Sequence, residues 1–103
     1  SEHFGQARER FMRGVRLAIA FASTHLKNLA LLGLARAEIG LGNIENAARI
    51  ARLLAETDVA RKETSYGALV DALGADRIEG PPCALDDVLS EIANDADARA
   101  LML

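Results

Sequence analysis

Residues 34–48 read LARAEIGLGNIENAA, and this stretch decides the fold. Its first half is rich in Ala and Leu, which are strong helix formers. Gly42 can adopt the left-handed conformation that ends a helix, and Asn43 can cap the start of the next one. The stretch therefore predicts two helices joined by a tight turn, with small residues that let the helices pack closely.

The composition of the whole chain predicts a single all-α domain over residues 1–103. Half of the 103 residues are hydrophobic but only 4% are aromatic, and β-branched residues are sparse, which favours helices over strands. This length suits one domain or a piece of a longer protein. The Ala-, Arg- and Leu-rich composition is typical of a GC-rich bacterial genome.

Two kinds of segment that direct a protein to a membrane or out of the cell were sought in the sequence. No apolar run approaches the roughly 20 residues that a membrane-spanning helix needs, and no signal peptide is recognisable. The chain has one cysteine, so it cannot form an internal disulfide. These features predict a cytoplasmic protein with no membrane partner.

Apolar residues at spacings of three and four predict five to six helices. A loop is predicted at 75–82, because Pro81 and Pro82 follow Gly80 and interrupt helix formation. The last part of the chain, 84–103, is predicted to form short helices. The predicted helices lie at 5–22, 25–41, 44–56, 59–73 and 85–92, with a final one from 94 or 95 onward.

Two glycines lie inside the second predicted helix. Gly33 and Gly40 each cost up to about 1 kcal/mol relative to Ala in a helix. A close backbone approach by another helix would offset this cost. The sequence therefore predicts that the backbone of a neighbouring helix lies close to these glycines.

The chain shows internal similarity with a period of about 34 residues. Residues 14–18 resemble 47–51 at a shift of 33, and residues 43–45 resemble 77–79 at a shift of 34. Residues 34–37 resemble 69–72 at a shift of 35. This repetition predicts a repeat-like core over 14–73.

A period near 34 with two helices per unit resembles the tetratricopeptide repeat family. Leu34-Ala35 is similar to the large-small pair of its first helix, Gly42-Asn43 to its Gly-Asp turn, and Ala47 to the small residue of its second helix. Glu38 and Ala51 stand where this family usually has aromatic residues. The resemblance implies antiparallel hairpins stacked as a short array, and a plain antiparallel helical bundle is the alternative.

If the resemblance holds, it implies a non-catalytic interaction module with a protein or peptide partner. The partner would bind in a groove formed by the first helices of the hairpins. A second copy of the chain is another possible partner, which would give a homodimer. Exposed apolar side chains are expected at Leu26, Leu41 and residues 101–103. The candidate partner-binding residues are Asn28, Arg36, Lys62 and Ser65.

The charge distribution supports a second hypothesis. The net charge of −3 disfavours a nucleic-acid partner, but Lys and Arg outnumber acids by four up to Leu54, and acids outnumber them by seven beyond it. The alternative function is a small helical regulator that binds nucleic acid through a basic face of the first helix. That face would consist of Arg8, Arg10, Arg13 and Arg16.

No catalytic, metal or cofactor site is predicted anywhere in the chain. The two histidines lack partners at metal-ligand spacing, and the adjacent Asp86 and Asp87 point to different sides of a helix. We therefore expect no cofactor, no metal and no enzyme activity.

The first helix also has a predicted apolar face. Its predicted inward residues are Phe4, Phe11, Val15, Ala18 and Ala22.

Overall fold

The protein folds into helices alone. The computed structural model describes the backbone of residues 2–102 and the side chains of residues 3–97. Across that part of the chain there is no strand, which confirms the all-α prediction, and there are seven α-helices, more than the five to six expected. The helices are α1 (Glu2–Ala20), α2 (Thr24–Gly40), α3 (Ile44–Leu54), α4 (Asp58–Lys62), α5 (Thr64–Leu73), α6 (Ala75–Ile78) and α7 (Leu85–Met102).

The turns on either side of α2 follow from their sequences. Ser23 caps α2 by accepting a hydrogen bond from the Leu26 backbone N–H at 3.4 Å. Gly42 has a φ of 83°, the left-handed conformation expected after the helix. Asn43 precedes α3, but its side chain does not cap that helix and instead donates to Glu38.

Three boundaries in the C-terminal half differ from the prediction. The expected helix over 59–73 is divided, because Glu63 has extended backbone angles between α4 and α5. The expected loop over 75–82 begins with a single helical turn, α6. The expected short helices of 84–103 are one continuous helix, α7, up to Met102.

Helices α1 and α2 pack as an antiparallel pair through aromatic rings and glycines. The Phe11 ring lies directly against Gly33, and the Phe4 ring lies against Gly40. A Cβ atom added to either glycine would overlap the ring. The close approach at these glycines is thus made by aromatic side chains of α1 and not, as predicted, by the backbone of a neighbouring helix.

The core is built around α2 and α3. Helix α2 packs against α1, α3, α4 and α5, and α3 also contacts α5, α6 and α7. On α1, Val15 and Ala18 are buried as predicted, whereas Ala22 is exposed because it follows the helix in a left-handed turn with a φ of 56°. The fully buried large side chains are Val15, Leu34, Glu38, Ile50, Leu54, Leu69, Val88 and Ile92.

Large apolar side chains remain exposed where α1 turns into α2. Phe21 is 79% exposed, and Leu17 and Leu26 are more than half exposed. Leu41 is half-buried, and the side chains of residues 101–103 lie outside the described part. None of the helices described is long and apolar enough to cross a membrane.

Candidate functional site

An open groove runs between α1 and α7. It consists of two adjoining depressions of about 400 Å³ and 390 Å³, and both are lined by Arg16 and Ala93. The first depression is also lined by Arg8, Glu9, Met12, Arg13, Ile92, Ala96 and Asp97. The second is also lined by Ile19, Asp86, Leu89 and Ser90.

The groove follows from the helical spacing of its lining residues. Those on α1 span residues 8–19, and those on α7 span residues 86–97, at intervals that place them on one face of each helix. The early residues of α1 lie opposite the late residues of α7, so the two helices are antiparallel. Each face is about 17 Å long at a rise of about 1.5 Å per residue.

The floor of the groove is apolar and its edges are charged. Met12, Leu89 and Ile92 are buried in the floor. Arg13 and Arg16 are exposed along the α1 edge, together with the acidic Glu9. The α7 edge has Asp86 and Asp97, both exposed. An apolar strip between edges of unlike charge is suited to an amphipathic segment.

A buried charged pair lies at the α1 side of the groove. The Arg8 side chain is 9% exposed and the Glu38 side chain is 0% exposed, with Arg8 Nη1 3.8 Å from Glu38 Oε1. This separation exceeds hydrogen-bond distance. Asn43 Nδ2 donates to Glu38 Oε2 at 2.5 Å. Among the described residues, Arg8 Nε and Nη1 are buried and make no hydrogen bond.

The structure separates the four arginines that were predicted to form one basic face. Arg8 is buried, whereas Arg10, Arg13 and Arg16 are exposed. Arg13 and Arg16 line the groove, opposite acidic residues of α7. The nucleic-acid hypothesis assumed that the first helix presents four solvated arginines on one face. In the structure only three of the four are exposed.

The residues predicted to bind a partner are not brought together in one groove. Asn28 is buried in α2, with 8% of its surface exposed. Arg36 is exposed and borders a depression between α1 and α2, beside Phe4 and Phe11. Lys62 is exposed at the end of α4, and Ser65 is half-buried on α5.

Glu38 and the groove face of α7 were not identified from the sequence as site elements. Glu38 follows Leu34 by four residues, so it stands on the apolar stripe of α2. A carboxylate at such a position signals a buried partner, because an isolated buried charge is costly. The only signal on α7 was the spacing of Asp86, Leu89, Ala93 and Asp97.

Comparisons with protein-family models, with curated proteins and with solved structures found no significant match to this chain.

Proposed function

We propose that the protein is a non-catalytic interaction module that binds a helical segment of a partner protein in the groove between α1 and α7. The observation that carries this proposal is the apolar floor between two charged edges. Helix-in-groove recognition uses such a floor to hold the apolar face of the incoming helix. The groove is about 17 Å long and accommodates about three helical turns.

The proposed site replaces the groove suggested by the resemblance to tetratricopeptide repeats. That groove required Asn28 to reach a partner, but Asn28 is buried. Arg36 borders α1 rather than α4 or α5. The α1–α7 groove gathers its residues from two helices onto one continuous surface, which gives a partner more contact area.

A stacked arrangement of hairpins remains part of the proposal. Helix α2 packs against both α3 and α5, and α3 packs against α5 and α7. Contacts between successive helical pairs of this kind support a short tetratricopeptide-like array. In such an array, α1 and α7 belong to different units, and the groove lies between them.

Selection from a displayed library of helix-forming peptides, each about 12 residues long to match the groove, tests the proposal. Ala93 lies in both depressions, so Ala93→Trp should fill the groove, while Ala68→Trp places the same side chain at an exposed position on α5. We expect selected peptides to carry an apolar stripe. Their affinity should fall by about tenfold or more on Ala93→Trp and stay unchanged on Ala68→Trp.

Binding that is equally strong for Ala93→Trp and the parental protein would contradict the proposal. Mapping the amide resonances that shift on peptide addition gives an independent test. We expect the largest shifts in residues 8–19 and 86–97. Shifts confined to α4 and α5 would place the binding surface elsewhere.

A further inference from the structure

We infer that the helix bound between α1 and α7 carries unlike charges on its two flanks, acidic toward α1 and basic toward α7, and that these charges fix its direction. This inference rests on the proposed function and specifies the chemistry of the partner. The selecting charges are the exposed Arg13 and Arg16 on one edge of the groove and the exposed Asp86 and Asp97 on the other.

The α1 edge presents two accessible arginines. Arg13 and Arg16 are exposed, line the first depression and stand three residues apart, which places them on one side of α1. Neither makes an ion pair with another described residue. Glu9 is the single acid on this edge, and residues 10–37 contain no Asp or Glu at all. This edge therefore attracts carboxylates.

The α7 edge has the opposite charge. Asp86 and Asp97 are exposed and about three helical turns apart, so they lie on the same side of α7. Neither makes an ion pair within the part of the chain that the structure describes. Residues 85–97 contain five acids and no Lys or Arg. This edge therefore attracts Lys and Arg side chains.

The two edges are held by different neighbours. Helix α1 packs against α2, and α7 packs against α3, so each wall of the groove is supported from behind. No ion pair joins the two edges among the described residues. A partner with matching charges thus gains electrostatic attraction at both edges without first breaking an existing pair.

Unlike edges specify the direction of the bound helix. Turning a helix end for end, with its apolar stripe kept on the floor, exchanges its two flanks. A helix with one acidic and one basic flank therefore meets opposite charges on both edges in one direction only, and like charges in the other. A helix with equal flanks meets like charge on one edge in either direction.

The test uses the selected peptides and begins with the α1 edge. Arg13→Gln/Arg16→Gln removes the two arginines of the groove. Its matched control is Arg10→Gln/Arg36→Gln, which removes two exposed arginines that line neither depression and changes the net charge equally. Melting curves should match that of the parental protein, because all four side chains are exposed.

The α7 edge is tested in the same way. Asp86→Asn/Asp97→Asn removes the two acids of the groove. The matched control is Asp87→Asn/Glu91→Gln, which removes two exposed acids that lie on α7 outside the groove.

We expect each selected peptide to carry acids on one flank of its apolar stripe and Lys or Arg on the other. Each groove variant should weaken binding by about three- to tenfold, mainly through slower association, and the weakening should shrink in high salt. The control variants should stay within about twofold of the parental protein. Changing the acidic flank of the peptide to Gln should weaken binding to the parental protein but not to Arg13→Gln/Arg16→Gln.

A nitroxide at the N-terminus of a selected peptide reports its direction. It should broaden the amide resonances at one end of the groove only, either around residues 8 and 97 or around residues 19 and 86. Exchanging the acidic and basic flanks of that peptide should move the broadening to the other end or abolish binding. Unchanged affinity with broadening at the same end would overturn the inference.

Failure of the inference and failure of the proposed function are distinguishable. Groove variants that bind as tightly as their controls, or peptides with no preferred flank charge, would overturn the charge pattern. If Ala93→Trp still abolishes binding in that case, the proposed groove stands. If Ala93→Trp has no effect, both the groove and the inference are wrong.

Discussion

At the scale of single residues, the fit between Phe11 and Gly33 shows why glycine is found inside α2. Glycine usually weakens a helix, since it gains no side-chain contacts and has high backbone entropy when unfolded. Here the missing Cβ leaves the space that the Phe11 ring occupies. The local cost is thus offset by packing between α1 and α2.

Gly33→Ala should destabilise the protein by about 1–3 kcal/mol, because the added methyl group overpacks the contact with Phe11. Gly67→Ala is the control, since Gly67 lies inside α5 with open space around it. It should stabilise the protein by about 0.5–1 kcal/mol. Urea unfolding followed by circular dichroism measures both changes. A stabilised Gly33→Ala would show that the ring moves aside freely.

Tyr66 provides a second residue-scale test. Burial raises the pKa of the Tyr66 phenol above its ordinary value of 10.0. The folded state therefore holds this proton more tightly than the unfolded state, and stability should fall as the pH rises above about 10. Tyr66 is the single tyrosine and there is no Trp, so ultraviolet absorbance follows its ionisation directly.

The absorbance midpoint should lie above 10.0 in the folded protein and return to about 10 in denaturant. Tyr66→Phe should remove the alkaline loss of stability that comes from this group. It should also lose the hydrogen bond from Tyr66 Oη to the Ala51 carbonyl. Equal midpoints in folded and unfolded protein would show that the phenol is solvated.

At the scale of helices, α7 shows what local sequence reasoning can miss. Asn94 and Asp95 are typical of helix starts, and they predicted a break there. In the structure, Asp95 Oδ2 accepts a hydrogen bond from Asn46 Nδ2 at 2.7 Å, which links α7 to α3. Asn46 Oδ1 in turn accepts from Arg49 Nη1 at 2.9 Å. This contact between two helices satisfies the Asp95 side chain, so Asp95 can lie inside α7 instead of starting a new helix.

Asn46→Ala should destabilise the protein by about 1–3 kcal/mol, because it removes a buried partner of Asp95. The control is Asn94→Ala, which changes an exposed neighbour on α7 and should have little effect. Thermal unfolding of both variants and of Asp95→Ala, combined as a double-mutant cycle, measures the coupling. Additive effects of Asn46→Ala and Asp95→Ala would show that the hydrogen bond contributes nothing.

The sequence predicted α2, α3 and the turn between them because their determinants are local. Ser23 and Gly42 act within a few residues of the boundaries they set, and the apolar positions of each helix recur at spacings of three and four residues. The single turn of α6 is shorter than the window over which periodicity can be recognised. The break at Glu63 has no Pro or Gly beside it, so the sequence carries no local signal for it.

At the scale of the whole molecule, the groove could not be predicted because its walls come from opposite ends of the chain. Residues 8–19 and 86–97 meet only after α2 and α3 have been placed between them. The unequal distribution of charge along the sequence places unlike charges on the two edges of this groove. The basic first half supplies one edge, and the acidic second half supplies the other.

The exposed apolar surface at Leu17 and Phe21 should cause self-association at high protein concentration. Light scattering coupled to size exclusion should show a mass that increases with concentration. Leu17→Ser/Phe21→Ser should suppress this increase, while Ala20→Ser, at an exposed neighbouring position, should not. A parental protein that stays monomeric throughout would show that this surface does not bind a second copy.

The seating of two aromatic rings on two glycines also determines the alignment of the α1–α2 hairpin. Both pairs are seven residues apart along each helix, so sliding α1 by seven residues would bring Phe4 to Gly33. Phe11 would then face Leu26, which leaves no recess for its ring. Sliding the other way would bring Phe11 to Gly40 and carry Phe4 beyond the end of α2. One alignment alone accommodates both rings, so competing registers are penalised within the first 40 residues of the chain.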